Sequence, residues 1–426
     1  MSLPVVRFDV CVKSNNDAND AQVRVLVLSH NRVIVVGAGP VGLVTALLLA
    51  EERIPVTVLE SDSTLSDDLR ASTFHPPTLD MLDSLNLTER LLDQGLICPE
   101  WQIRMHATGE KAVFRLALIT DLTNHPYRLQ CEQAKLCTLL VEKLTQHESA
   151  TLHFGAKVIG LRQHADHVDV RAKLGDTKEC SDFTGRFVVG ADGAGSTVRT
   201  LLGLEFYGST YPETTVLVST PFPFHEHIDD ISNVSYCWSP SGNFALLRLK
   251  EFWRCSLYYD PDLTFESATA PERIQAQLQE IHASTDPFSI VDARPYRVHQ
   301  RIVSNYRSGR VLLAGDAAHV NSPSGGMGMN GGIHDAFNLV EKLSSVWRGA
   351  APELLDQYTR QRLPVAKSAI LGQSDRNRKR MTQKDPEARA RALASLQATA
   401  ADQSLARDYL IKSSMIDGLR EARAIQ

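Results

Sequence analysis

Val33-Ile34-Val35-Val36-Gly37-Ala38-Gly39-Pro40-Val41-Gly42 is the stretch that decides the fold of this 426-residue chain. Four apolar residues in a row have the length and composition of a strand buried in a parallel sheet. The six residues from Gly37 match G-x-G-x-x-G. Leu43 to Glu51 then reads as a helix and Val56-Thr57-Val58-Leu59 as a second strand. Together they form a βαβ unit of about thirty residues, closed by a right-handed crossover. In such a unit Gly37 allows the tight turn, Gly39 lets a pyrophosphate approach the backbone, and Gly42 lets helix and strand pack closely. Free amides at the helix start near Pro40 face the phosphates. Glu60 ends the second strand, where a carboxylate accepts hydrogen bonds from ribose hydroxyls and disfavours a 2′-phosphate. Arg53 stands where a glycine often ends this helix. The unit predicts a dinucleotide without saying which one.

The apolar run from Val33 to Ala50 raises the question of a membrane span. Its glycines and proline, and the flanking Arg32 and Glu51, favour strand–turn–helix instead. Hydrophobic residues make up 43% and charged residues 22%, as in ordinary globular proteins, which excludes fibrous, collagen-like and largely disordered chains. The length suggests two or three domains. A net charge of −5 gives nucleic acid and anionic lipid no basic field to meet. Seven cysteines, without a CxxC pair or finger-like spacing, argue against a disulfide framework or a metal site and for a reducing cytoplasm. Residues 1–30 lack a signal-peptide pattern, since Asp9, Lys13 and Asp17 interrupt them. They read as an extension, either disordered or adding an edge strand at Val23 to Leu28.

Beyond the βαβ unit, Leu79 to Leu92 and Gln133 to Leu144 have helical apolar spacing. Lys157 to Leu161 with Val168 to Ala172 read as a hairpin before a buried strand at Phe187-Val188-Val189. From Thr214 to Tyr259 short strands follow one another without helices, so a mixed or antiparallel sheet is inserted there. Val311 to Ala314 returns to a buried strand, and Ile333 to Trp347 reads as an amphipathic helix. These elements predict a dinucleotide-binding domain assembled from residues 31–97, 126–205 and 298–345. A substrate domain would comprise 98–125 and 206–297, with C-terminal helices over 346–426. The basic run Arg376-Asn377-Arg378-Lys379-Arg380 reads as a solvated helix face.

Two distant segments narrow the choice of dinucleotide. Phe187-Val188-Val189-Gly190-Ala191-Asp192-Gly193-Ala194-Gly195-Ser196 carries a DG motif, and Gly309-Arg310-Val311-Leu312-Leu313-Ala314-Gly315-Asp316 carries a GD motif. With the N-terminal fingerprint, in this order, they resemble the three signatures of the group A flavoprotein aromatic hydroxylases, the para-hydroxybenzoate hydroxylase-like family. The resemblance spans about Val33 to Met381. It implies an α/β fold with a Rossmann-like, GR2-type FAD-binding domain and an inserted mixed or antiparallel-sheet substrate domain. It also implies bound FAD, with NADH or NADPH visiting to reduce it. By the same resemblance, Asp316 contacts the ribityl chain, and Asp192 with Gly193 serves the pyrophosphate region and the nicotinamide nucleotide. Arg70 lies over the phosphates and ribose, and Gln130 touches the polyol. Pro323 lies near the carbon that binds oxygen.

Gly326-Met327-Gly328-Met329-Asn330-Gly331 repeats the glycine spacing without a strand immediately before it, so a second dinucleotide fold is not expected. A bare backbone lies flat against an isoalloxazine, and a helix from about Gly331 points its positive end there, favouring reduced flavin. On the inserted sheet Phe244, Leu246 and Arg248 share a face by alternation. Arg248 is a candidate partner for a substrate carboxylate or a surface charge. Tyr236 and His75 are candidates to take a phenol's proton, or structural residues. The family resemblance implies hydroxylation of a phenolic or heteroaromatic ring through a flavin C4a-hydroperoxide, with a small aromatic and O₂ as partners and a monomer or homodimer as the unit. A halogenase lacks support, since its Trp-x-Trp-x-Ile-Pro motif is absent from this sequence. A flavoprotein oxidase or dehydrogenase and a non-catalytic flavin-binding protein remain alternatives.

Overall fold

In the computed structural model, which describes residues 30–67, 69, 71–175, 179–259 and 263–426, Val33–Val36 lies inside a six-stranded sheet. Val56–Leu59 and Phe187–Gly190 flank it in parallel, and Ala150–His153 and Val311–Leu313 extend the parallel run. Arg307–Ser308 closes one edge antiparallel. The three inner strands are buried along their whole length, as a sheet covered on both faces requires. Residues 1–29, including Val23 to Leu28, lie outside the described residues.

Several boundaries differ from the sequence reading for local reasons. The first helix runs Pro40–Glu51, because proline suits the first helical position. Arg53 takes the left-handed conformation (φ 58°) without being glycine, and its amide donates to the Ala50 carbonyl at 2.9 Å. The helix expected over Leu79 to Leu92 breaks into Pro76–Asp83 and Thr88–Gln94, with Asn86 at φ 54°, which asparagine tolerates. The expected hairpin, Ala156–Gln163 with Val168–Leu174, gains a third strand, Cys180–Gly185.

A second sheet has eight strands. Tyr207–Thr220 and Asp292–Ile302 pair antiparallel, and Trp253–Tyr258, Phe244–Arg248 and Val234–Trp238 follow in order. Glu100–Met105 joins Val234–Trp238 in parallel, with Lys111–Arg115 beyond it. Phe244, Leu246, Cys255 and Val218 pack with Leu278 and Ile281 of the helix Pro271–Ile281 in a core of their own. The opposite face meets the segment before Thr73 and the loop before Gly325: Arg254 Nη1 donates to Ser72 Oγ at 3.0 Å, and the Tyr258 hydroxyl stands 3.4 Å from Ser324 Oγ. The tail is helical, with Pro386–Ala401, Gln403–Ser413 and Ile416–Ala424 following Gln373–Thr382. Leu393, Leu396, Leu410 and Ile411 pack against Trp101, Phe114 and Trp238. The tail is therefore a wall of the sheet domain.

A buried ion network ties the GD segment, the long helix after it and the first C-terminal helix together. Asp335 sits on the helix Met327–Trp347, which starts inside the glycine run instead of at Ile333. Its Oδ1 accepts from Arg362 Nε at 2.6 Å, and its Oδ2 accepts from His319 Nε2 at 2.7 Å and from the Gly315 amide at 3.2 Å. Arg362 Nη2 also donates to the Gly331 carbonyl. Burial pushes the Asp335 carboxyl up, but the charges and hydrogen bonds of Arg362 and His319 outweigh it and hold it at about 2. Asp335→Asn leaves a buried guanidinium without its counter-charge, a loss of about 3–5 kcal/mol that lowers the thermal midpoint. Because the folded-state value lies below the unfolded one, the contribution is complete above about pH 4 and fades toward pH 2. Melting curves of both proteins across that window are expected to converge as pH falls; a constant gap refutes the ionic account.

Candidate active site

The first part of the site is a cradle at the end of Val33–Val36. Gly37 adopts φ 103°, and a methyl group there would overlap the Ala191 carbonyl oxygen; one on Gly42 would overlap the Gly37 carbonyl oxygen. These two glycines serve packing. Gly39, Gly193 and Gly195 are different, since a methyl group on any of them meets nothing within 4 Å. They line open space at the N-terminus of Pro40–Glu51, where amides lack helical acceptors. Glu60 borders that space, with Oε2 accepting from the Ala38 amide at 2.5 Å and Oε1 from the Asp62 amide at 2.9 Å. Asp192 accepts from the Ser196 hydroxyl and from the Val198 amide at 3.0 Å, so its carboxylate also braces the start of the helix Thr197–Leu201. Arg70 lies outside the described residues.

The second part is the glycine loop. Gly326 caps the helix Met327–Trp347 in the left-handed conformation (φ 67°), so Gly328 and Gly331 belong to its first turns. Asp316 is adjacent, its Oδ1 3.8 Å from where a methyl group on Gly328 would lie. Asn330 staples the loop to the strand Thr73–Phe74: its Nδ2 donates to the Thr73 and Gly326 carbonyls, and its Oδ1 accepts from the His75 amide at 2.9 Å. Gln130 is buried and exchanges hydrogen bonds with Thr73 Oγ1. Pro323 is exposed, and its carbonyl accepts from the Gly326 amide at 3.0 Å. Met329 is buried in the helix.

His75 does not act as a charged group. Its Nε2 stands 2.8 Å from the Gly325 carbonyl, an acceptor, so that nitrogen carries the proton. Burial, reinforced by the Arg128 charge, pushes the imidazole down to about 3. At neutral pH it is a poor base. It instead pins the Gly325 carbonyl.

Beside Gly325 and Met327 lies the third part, a small cavity lined by Trp101, Arg128, Tyr236, Asn377, Arg380 and Tyr409, among others. Tyr236 meets Trp101 edge-on at 6.0 Å. Arg248 is not there. It shares the face of Phe244 and Leu246 as alternation requires, but that face meets the helix Pro271–Ile281, and Arg248 Nη1 is 3.5 Å from Asn233 Oδ1. The basic run is corrected too: Arg376 and Lys379 are exposed, whereas Asn377 and Arg380 face the cavity. Sequence reasoning missed Trp101, Arg128 and Tyr409. One signal was available for Arg128, which precedes Gln130 by two residues in the strand Arg128–Gln130 and so shares its face.

Residues 30–372 match the family described as FAD binding domain. The chain belongs to this family of FAD-dependent aromatic hydroxylases. A 6-hydroxy-3-succinoylpyridine 3-monooxygenase of Pseudomonas putida is 34% identical over 337 residues, covering 77% of this chain and 83% of the relative. A para-nitrophenol 4-monooxygenase of a Pseudomonas species is 30% identical over 394 residues, covering 91% and 96%. The crystal structure of a p-nitrophenol 4-monooxygenase from Pseudomonas putida matches with a TM-score of 0.85 at 32% identity, over 90% of this chain and 98% of that one. The flavoprotein's cofactor fits the cradle, because the open glycine walls offer amides and room where a side chain would otherwise stand. Among the described residues no helix is long and apolar enough to cross a membrane.

Two glycine substitutions separate folding from cofactor binding in this flavoprotein. Gly42→Ala forces backbone apart and is expected to lower the melting temperature of the apoprotein. Gly39→Ala fits the apoprotein but fills the cradle, and FAD affinity is expected to fall about tenfold to a hundredfold, as overpacking by about 1–3 kcal/mol implies. Apoprotein melting and FAD titration read the two effects; equal FAD affinity for Gly39→Ala and the parent removes Gly39 from the cofactor site.

Proposed function

We propose that this monooxygenase hydroxylates a phenol or a hydroxylated heteroaromatic ring in the cavity beside Gly325 and Met327, consuming NADH or NADPH and O₂. The observation that carries the proposal is the composition of that cavity's walls. One wall is the glycine loop and the other carries Trp101 and Tyr236 of the large sheet, an apolar and aromatic lining with few polar groups, as a site for a ring requires. Two relatives are named for 6-hydroxy-3-succinoylpyridine and para-nitrophenol, both hydroxylated aromatics. Bound FAD supplies the redox chemistry, passing electrons from the nicotinamide to O₂ so that one oxygen atom enters the ring and the other leaves as water.

In this reading Gly37, Gly39 and Gly42, with the helix from Pro40, hold the pyrophosphate, and Glu60 takes the ribose hydroxyls. Asp192 shapes the DG turn beside Gly193, Asp316 meets the ribityl chain, and Gln130 faces the polyol. Gly326, Gly328, Met329 and Asn330 set the loop against the isoalloxazine, and Pro323 flanks it. Helix Met327–Trp347 presents its positive end there, which favours the negative charge of reduced flavin. Trp101, Met327, Met381 and Tyr409 keep water from the reacting ring, and the Tyr236 hydroxyl faces it as the group to pass its phenolic proton. Cys98, Cys131, Cys137, Cys237 and Cys255 are buried free thiols, in keeping with a cytoplasmic protein.

The test uses the purified holoenzyme, labelled O₂ and a panel of phenols and hydroxypyridines. The expected outcome is faster bleaching of the flavin by NADH or NADPH with a fitting ring, and one labelled oxygen atom in the product. Nicotinamide oxidation that yields hydrogen peroxide alone, with every ring recovered unlabelled, returns the chain to the oxidase reading.

A further inference from the structure

We infer that Arg128 is the anchor for an oxyanion carried by the aromatic substrate, which makes the natural substrate an anionic ring. The inference rests on reading the cavity as the hydroxylation site. Arg128 is 2% exposed, and its Nε and Nη1 are buried with no hydrogen-bond partner among the described residues. No carboxylate of the described residues forms an ion pair with it, although it lines the cavity. Its guanidinium carbon stands 4.9 Å from the centre of the Trp101 ring, which positions the group without supplying an acceptor. A guanidinium removed from water with donors unmet is among the most costly arrangements in a protein interior, and such groups are rarely left that way.

The surroundings point the same way. The cavity wall contains a second guanidinium, Arg380, and the amide of Asn377, but no aspartate or glutamate. Every charged side chain lining it is therefore positive. The backbone of Arg128 is fixed, because Arg128–Gln130 is the middle strand between Thr73–Phe74 and Leu96–Cys98. Trp101 is held in turn by Phe114, stacked at 4.7 Å, and Phe114 by Tyr409 at 4.5 Å. A preset, planar donor fork over an aromatic floor fits a planar oxyanion attached to a ring. That oxyanion is either the ionised ring hydroxyl or an acidic substituent such as a carboxylate.

Binding to the oxidised holoenzyme, read from the visible flavin spectrum, tests this without requiring turnover, so a failure of the hydroxylation reading stays distinguishable. Benzoate probes the substituent and 4-methylphenol the ring hydroxyl, each titrated at pH 6 and pH 9. For Arg128→Met the dissociation constant of at least one probe is expected to rise about tenfold or more, as loss of a buried charged partner implies. FAD content should stay at the parent level. A loss confined to benzoate at both pH values assigns the oxyanion to a substituent. A loss confined to 4-methylphenol, with the pH dependence of its binding abolished, assigns it to the phenolate. If Arg128→Met does not fold, Arg128→Lys is used, which keeps the charge without the fork and is expected to give an intermediate loss. Both probes binding variant and parent equally, neither probe perturbing the parent's flavin, or loss of FAD from the Lys variant would each overturn the inference.

Discussion

Asp335 is the residue on which the arrangement of the site depends. Its carboxylate holds three elements together: the Gly315 amide of the GD motif, His319 on the short strand His319–Val320, and Arg362 at the start of the C-terminal helices. In a dry interior such a contact has a steep distance dependence, so the three cannot drift independently. The Gly315–Gly326 region is thereby fixed from beneath, and Arg362 adds a bond to the Gly331 carbonyl. Glycines offer no side-chain packing to fix a loop. The rigidity that a flat cofactor surface needs comes here from charges and amides below it.

A second tier of polar contacts aligns the loop from the side. Asn330 spans Thr73, His75 and Gly326, while the His75 ring holds the Gly325 carbonyl. Burial keeps that imidazole uncharged, which suits a structural donor and disqualifies it as a proton acceptor at neutral pH. The division of labour is physical. Groups bonded to the loop position it, whereas Arg128, with two buried donors unmet, faces the cavity.

The fold was legible where its causes are local. The strand, tight turn and helix at Val33 to Glu51 follow from apolar runs and glycine spacing, and the DG and GD motifs recur as short, ordered signals. Strand alternation placed Phe244, Leu246 and Arg248 on one face correctly. It could not say which way the face looks, because that depends on the helix Pro271–Ile281 packing over it. The same limit hid the tail. Arg376 to Arg380 reads as one basic run, yet helical geometry turns Asn377, Arg380 and Met381 inward and Arg376 and Lys379 outward.

Arg128 illustrates the deeper limit. Its chemistry lies in what it lacks, and a missing partner is a property of the whole surroundings, which no window of sequence contains. Trp101, Tyr236 and the tail helices come from three separate regions of the chain, and only their meeting converts an ordinary strand arginine into a buried, unsatisfied cation. The tail therefore does more than cover the sheet. By excluding water from the cavity it removes the solvent that would otherwise satisfy the guanidinium, and so raises the affinity of that group for any oxyanion that enters. The exclusion of water that protects an oxygen-transferring flavin and the selection of an anionic ring are thus consequences of one wall.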